Sequence, residues 1–205
     1  RNVPTDIKVS ADGTAKYLFK TSTGKFVETV MIPDHERRTL CVSSQIGCKL
    51  NCLFCMTGKQ GFNGNLSATE IMNQIFSVDE SENLSNVVFM GMGEPLDNYE
   101  ELSKVLEIIT SDYGMGWSPK RVTVSTTGIT PKLKHFLDEN TAHLAISIHS
   151  PFPQQRLSIM PVEKAYPIAE IIELLREYDW TRQRRLSFEY IIFDEFNDSL
   201  VYAKE

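Results

Sequence analysis

No stretch of this 205-residue chain approaches the roughly 20 consecutive apolar residues that a membrane-crossing helix requires, and no charged segment followed by a short apolar run opens it. The expectation is a cytoplasmic protein with no membrane partner. An excess of positive charge is also missing: 21 Lys and Arg against 27 Asp and Glu leave a net charge of −6, so global charge does not advertise nucleic-acid binding. Two short basic stretches, Lys120 with Arg121 and Arg182 to Arg185 (RQRR), read either as phosphate contacts or as solvated surface. Cysteine is scarce, with only 4 residues, all between Cys41 and Cys55; a disulfide framework does not suit a chain whose 41% hydrophobic content builds a core without staples. An initiating methionine is absent, and the chain stops at AKE soon after an apolar run. Both ends are expected to continue in something longer.

What is present alternates between extended and helical signals. KYLFK (16–20) and FVETVMI (26–32) are rich in β-branched and aromatic residues and flank TSTGK, a turn composition, which predicts a hairpin. RTLCVSS reads as a short strand. Ser67 with Glu70 makes a capping box for a helix carrying Ile71, Ile75 and Phe76. NVVFMG (86–91) is a continuous apolar run of buried-strand type. Leu102, Val105, Leu106 and Ile109 then fall on one helical face, as do Ile168, Ile171, Ile172 and Leu175 after Pro167. VTVST (122–126), HLAISIH (143–149) and LSFEYIIF (186–193) are further strands, with short helices expected around Lys132 to Leu137 and from Ser199. About five strands, each followed by a helical segment, predict an α/β fold: a parallel sheet with helices outside it, open or curled into a partial barrel.

Ligands of such sheets collect beyond the carboxyl ends of the strands. The punctuated polar motifs sit there: the cysteine loop, GMGEP, STTG and SIHS follow the first four strands in turn. Structural zinc asks for four ligands, usually as two separated knuckles, whereas Cys48, Cys52 and Cys55 form one tight loop. Three thiolates at that spacing can each hold one corner of a [4Fe-4S] cube and leave the fourth iron open. Phe54, beside the last cysteine, would shield such a cluster from water. Cys41 stands in the strand, either as a fourth ligand of a closed site or as a free thiol.

CKLNCLFC fits the CxxxCxφC signature of the radical S-adenosylmethionine (SAM) superfamily. Around it, TLCVSSQIGCKLNCLFCMTGKQGFNGNLSATEI, VVFMGMGEPLDN, VTVSTTGI, LAISIHSP and FEYIIFDEFND together resemble the RlmN/Cfr family of RNA methyltransferases, in order from about Phe26 onward. The resemblance implies a partial (β/α) barrel preceded by a short β-hairpin, with residues 1–38 as a hairpin extension and 39–205 as a radical SAM core lacking its C-terminal part. It implies a [4Fe-4S] cluster on Cys48, Cys52 and Cys55, and SAM bound by Gly93, Glu94, Ser125, Ser147, Ile148 and His149. A glycine admits close backbone approach and a carboxylate suits the ammonium of SAM.

The implied activity is methylation of C2 of adenosine in 23S rRNA and tRNA, consuming two SAM molecules. In the family one SAM methylates a cysteine near the C-terminus; the second is cleaved to a 5′-deoxyadenosyl radical that activates that methyl for addition to the base. Cys41 matches the second cysteine, which forms a disulfide with the methylated one and frees the RNA; a lowered pKa would help it. Glu28 matches the proton acceptor, and reads equally as a solvent-facing glutamate in a hairpin strand. The implied partners are 23S rRNA, tRNA and an electron donor such as flavodoxin. GKQGF looks more like the C2 enzymes than the relatives that methylate C8, and a zinc-binding RNA module without catalysis is the reading from another class. The family's methyl-carrying cysteine, a SAM-contacting asparagine, a sixth barrel strand and an N-terminal RNA-engaging domain have no counterpart in the chain. It is therefore expected to be inactive in methyl transfer by itself, with an open sheet edge that favours self-association.

Overall fold

A computed structural model describes residues 2–181 and 185–205, so Arg182 and Arg184 of the basic stretch lie outside the described residues. The chain opens on a meander. Strands β1 (Asp6–Val9), β2 (Ala15–Lys20) and β3 (Phe26–Asp34) run antiparallel to their neighbours, and β3 pairs in the same way with β4 (Arg37–Cys41). The predicted hairpin is thus β2 and β3, closed at the tight turn where Thr21 N–H donates to Lys25 O at 2.8 Å. All four residues of β1 are exposed, so the sequence carries no burial pattern there by which to recognise a strand. Because β3 also pairs with β4, the hairpin and the cysteine-bearing strand belong to one continuous sheet.

After β4 come the short pair β5 (Gln45–Ile46) and β6 (Gly64–Asn65), with the single turn α1 (Met56–Lys59) between them. The remaining elements are α2 (Ala68–Phe76), β7 (Asn86–Phe89), α3 (Tyr99–Thr110), β8 (Val122–Thr126), α4 (Thr130–Glu139), β9 (His143–Ser147), α5 (Pro153–Ile159), α6 (Ile168–Arg176), β10 (Leu186–Glu189) and α7 (Leu200–Lys204). Helix α2 starts where Ser67 Oγ accepts from Glu70 N–H at 3.3 Å while Ser67 N–H donates to Glu70 Oε2 at 3.0 Å, the expected capping box. On α3, Leu102, Val105, Leu106 and Ile109 are all buried. Each such aliphatic side chain stabilises the fold by about 1.5–3 kcal/mol relative to exposure.

Strands β4, β7, β8, β9 and β10 pair in parallel, in that order, without reversal. Right-handed crossovers that always step the same way put every helix on one face, the winding of a barrel and not of a doubly wound sheet. The helices pack in sequence order, α2 on α3, α3 on α4 and α4 on α6. Leu40, Val87, Phe89, Val122, Val124, Leu144 and Ile146 supply the fully buried face beneath them. Their neighbours Cys41, Val88, Thr123 and His143, in register across four strands, point to the opposite, half-buried face.

The last strand is shorter than its apolar run suggests. Beyond Glu189 the backbone leaves the sheet, because Ile191 N–H donates to His149 Nδ1 at 3.1 Å and Phe193 N–H to Asn197 Oδ1 at 2.6 Å. Those donors are no longer available to a ladder. β10 pairs with β9 alone among the described residues, and its Phe188 is 48% exposed.

Candidate active site

The segment Ser43–Gln45 after β4 joins the cysteine loop to the loop after β7. Ser43 N–H donates to Gln74 Oε1 at 2.8 Å, and Gln74 Nε2 returns a bond to Ser43 O at 2.9 Å, so a fully buried glutamine from α2 stands in for a missing strand partner. Ser44 and Gln45 N–H groups both donate to Met92 O, at 2.9 and 3.1 Å. Gln45 Oε1 accepts from Glu94 N–H at 2.9 Å. Gly93 passes Gln45 at φ +99, and a Cβ there would lie 2.5 Å from Gln45 Cβ. Both the backbone sign and the close approach require glycine.

Glu94 is 3% exposed, and four donors converge on its carboxylate. Oε1 accepts from Thr126 Oγ1 at 2.6 Å and Leu96 N–H at 3.1 Å; Oε2 accepts from Thr127 N–H at 2.9 Å and Thr127 Oγ1 at 3.1 Å. Burial pushes its pKa up while these four bonds pull the other way. Glu94 therefore fastens the GMGEP loop to the end of β8 and sets a buried carboxyl group in the cavity wall, with burial the stronger influence on its pKa.

That cavity, about 310 Å³, opens beyond the carboxyl ends of the parallel strands. Cys48, Cys52 and Cys55 line it, and so do Gly93, Glu94, Ser125, Ser147 and His149. Eight of the eleven candidate residues thus meet around one space. All four cysteines are free thiols. Burial pushes Cys48 upward and Cys52 to about 12, with the neighbouring thiols adding to the rise in Cys52. Desolvated thiols that raise one another's pKa are poor as free acids and good as ligands of a cationic group that ionises them.

Apolar side chains back the loop. Cys52 packs with Met160 and Val162, and Leu53 N–H donates to Ile159 O at 2.9 Å, which sets the cysteine loop on the end of α5 and the turn after it. Phe54 contacts the His149 ring edge-on at 4.9 Å and Phe193 at 5.6 Å, an aromatic wall where shielding was expected. Among the described residues, no three His, Cys, Asp or Glu side chains are gathered as a single metal ion would need them. A [4Fe-4S] cube takes its thiolates one per iron. Three soft donors on an apolar-backed loop, facing a cavity with a buried carboxylate, fit that group.

His149 adopts φ +54 and is 5% exposed. Its Nδ1 accepts from Ile191 N–H, so the ring proton sits on Nε2 and remains available to donate. Burial, helped by the nearby Arg156 cation, lowers its pKa to about 4, so it is neutral at physiological pH. Ile148 belongs elsewhere: its side chain packs on the core, and it reaches the site only through its backbone.

Cys41 and Glu28 are not in the cavity wall. Cys41 shares the helix-free face of the sheet with Ser125 and Ser147. Burial raises its pKa to about 11, the opposite of the lowered value that would help it attack, because only the Met90 backbone opposes the desolvation. Glu28 lies on β3 two residues from Val30, the partner of Cys41, and so on the same face. Its carboxylate accepts from Lys16 Nζ at 2.8 Å, with both side chains 46% exposed.

Four buried polar side chains that organise the site escaped the sequence reading: Gln74, Arg156, Glu163 and Asn197. Asn197 Nδ2 donates to His149 O at 2.7 Å and Ile191 O at 2.9 Å. Arg156 sits among exposed and half-buried residues of its short helix, whereas Gln74 falls with Ile71 and Ile75 on the buried face of α2, where helical spacing was a signal. For Asn197 the signal was the DEFND segment that contains it.

The model of the radical SAM superfamily matches residues 42–202. The chain belongs to the radical SAM superfamily. Relatives within this superfamily are close: it is 61% identical over 201 residues to a protein of Parabacteroides distasonis named probable dual-specificity RNA methyltransferase RlmN, covering 98% of this chain and 59% of that one. It is 43% identical to the dual-specificity RNA methyltransferase RlmN of Syntrophobacter fumaroxidans, covering 95% and 58%. A crystal structure of a radical SAM methyltransferase from Sphaerobacter thermophilus superposes with a TM-score of 0.92 at 38% identity, covering 99% of this chain and 62% of that one. The chain spans just under three-fifths of the length of the two curated relatives.

Proposed function

We propose that the chain is the SAM-binding core of an RNA methyltransferase acting on C2 of adenosine in 23S rRNA and tRNA. The observation that carries this reading is the convergence of Cys48, Cys52 and Cys55 with Gly93, Glu94, Ser125, Ser147 and His149 on one cavity beyond the strand ends. Cys48, Cys52 and Cys55 would hold a [4Fe-4S] cluster, which when bound supplies one electron and an open iron to SAM. Glu94, held by four donors, offers its charge to the SAM ammonium, and the backbone at Gly93 approaches without a side chain between. Neutral His149 donates from Nε2. Phe54 and Met160 keep water from the thiolates.

Cys41 is a protected thiol in this arrangement. Its raised pKa keeps it protonated at neutral pH, so it must lose that proton before it can attack the methylated cysteine as a thiolate. The 205 residues hold no cysteine after Cys55 to serve as that partner, so methyl transfer requires protein outside them. Glu28 would accept a proton after release from Lys16. The electron donor is a small redox protein such as flavodoxin.

The test is anaerobic reconstitution of the full-length protein, followed by mass spectrometry of nucleosides from treated RNA. 2-Methyladenosine is expected. 8-Methyladenosine assigns the chain to the C8 branch, and colourless protein containing zinc in place of iron and sulfide overturns the reading. The 205 residues alone are expected to transfer no methyl group; detectable transfer by them refutes the need for a further cysteine.

A further inference from the structure

Arg156 is the largest fully buried side chain among the described residues. It lies on α5, outside every motif discussed so far, and its guanidinium collects three carbonyls: Nε donates to Ile148 O at 3.1 Å, and Nη2 to Thr127 O and Ser147 O, both at 3.0 Å. Nη1 is ion-paired with Glu163 Oε2. The Glu163 carboxylate in turn accepts from Ile168 N–H at the start of α6, at 3.2 and 3.1 Å. A buried cation is tolerated only when its donors and charge are met, and here every side of the fork is engaged.

The carbonyls it gathers belong to the last residue of β9 and to the loops that follow β8 and β9. Thr127 is also a donor to Glu94, and Ser147 lines the cavity. The helix that carries Arg156 ends at Ile159, whose carbonyl receives Leu53 N–H, beside the Met160 packed on Cys52. One rigid element therefore touches both halves of the site.

We propose that Arg156, fixed by Glu163, is a positioning residue for SAM: it sets the backbone of the two strand-end loops so that Glu94, Ser147 and His149 face one ligand together. This rests on the SAM-binding reading above. A planar fork can hold three carbonyls in fixed relation, whereas a lysine at the same place can satisfy only one or two of them while keeping the charge.

The experiment uses full-length protein reconstituted anaerobically, comparing wild type with Arg156→Lys, Glu163→Gln and Leu106→Ala. Iron and sulfide content, thermal midpoint, SAM affinity by equilibrium dialysis and the change SAM causes in the electron paramagnetic resonance spectrum of the reduced cluster are measured on each. Arg156→Lys is expected to load a full cluster, bind SAM about tenfold more weakly and show an altered SAM-induced spectrum. Glu163→Gln, which leaves the fork on its carbonyls, should weaken SAM about threefold. Leu106→Ala, destabilising but remote in the α3 core, should leave SAM affinity unchanged. Arg156→Lys binding SAM within twofold of wild type overturns the inference, as does a loss of affinity in Leu106→Ala equal to that in Arg156→Lys, which would make stability the common cause. Should Arg156→Lys fail to fold, unchanged SAM affinity in Glu163→Gln overturns it instead. Wild type that loads a cluster yet binds no SAM defeats the reading of the site itself, a separate outcome.

Discussion

The Thr126 hydroxyl donates to Glu94 Oε1 across 2.6 Å, joining the loop after β7 to the carboxyl end of β8. Both residues are buried, so the bond is made away from water. Beside it, through the other carboxylate oxygen, a chain of bonds runs from Gln45 through Glu94 and Thr127 to Arg156 on α5.

Removing the Glu94 carboxylate strands several buried donors at once. Glu94→Ala is expected to lower stability by about 3 kcal/mol, since each unsatisfied buried group costs ~1–3 kcal/mol. Glu94→Gln, which keeps one carbonyl acceptor but introduces an amide donor among donors, should lose somewhat less. Urea unfolding of the cluster-free protein measures both, and equal stability of Glu94→Ala and wild type would contradict the described network.

Gly93→Ala meets two penalties together: φ +99 and a Cβ 2.5 Å from that of Gln45. A left-handed backbone costs about 1–2 kcal/mol and overpacking about 1–3 kcal/mol, so a loss near 3 kcal/mol is expected in the same measurement. A neutral substitution would show that the loop relaxes freely.

The thiols divide by role in a way that metal analysis can read. Alanine at Cys48, Cys52 or Cys55 should abolish iron and sulfide incorporation, while Cys41→Ala should retain both and keep the visible absorption of the cluster. Loss of the cluster in Cys41→Ala would make it a fourth ligand.

With Cys48, Cys52 and Cys55 replaced by alanine, Cys41 is the remaining thiol. Its pKa of about 11 predicts slow alkylation by iodoacetamide at pH 7, rising about tenfold per pH unit until near pH 11. The sign for stability is equally definite: the folded protein holds this proton more tightly than the unfolded chain does, so the contribution is complete below the unfolded value near 9 and is lost as pH rises towards 11. A rate that levels off at pH 8 would show an activated thiolate instead.

His149 shifts the other way. Its folded pKa of about 4 lies below the ordinary 6.5, so the stability linked to it is present above 6.5 and falls as pH drops towards 4. Nuclear magnetic resonance should find its ring shifts flat from pH 8 to about 5.5; a midpoint near 6.5 would mean that the ring is solvated.

The strand and helix periodicities, the capping box at Ser67 and the sequential βα order were legible in the sequence because they depend on local spacing, and local spacing decides which face of an element is apolar. The same holds for the cysteine loop and for the placing of GMGEP, STTG and SIHS at strand ends, which follows from the winding rule once the strands are counted. Tertiary structure decided that β10 stops at Glu189, since the acceptor that takes the Ile191 N–H, His149 Nδ1, lies 42 residues away in the chain, while the Asn197 acceptor for Phe193 is local. It alone decided that Cys41 has a raised pKa, because desolvation is a property of the assembled sheet. It alone revealed Arg156 and Glu163: a polar side chain reads the same in sequence whether it meets water or three buried carbonyls, and only the packed fold supplies the partners that make its burial possible.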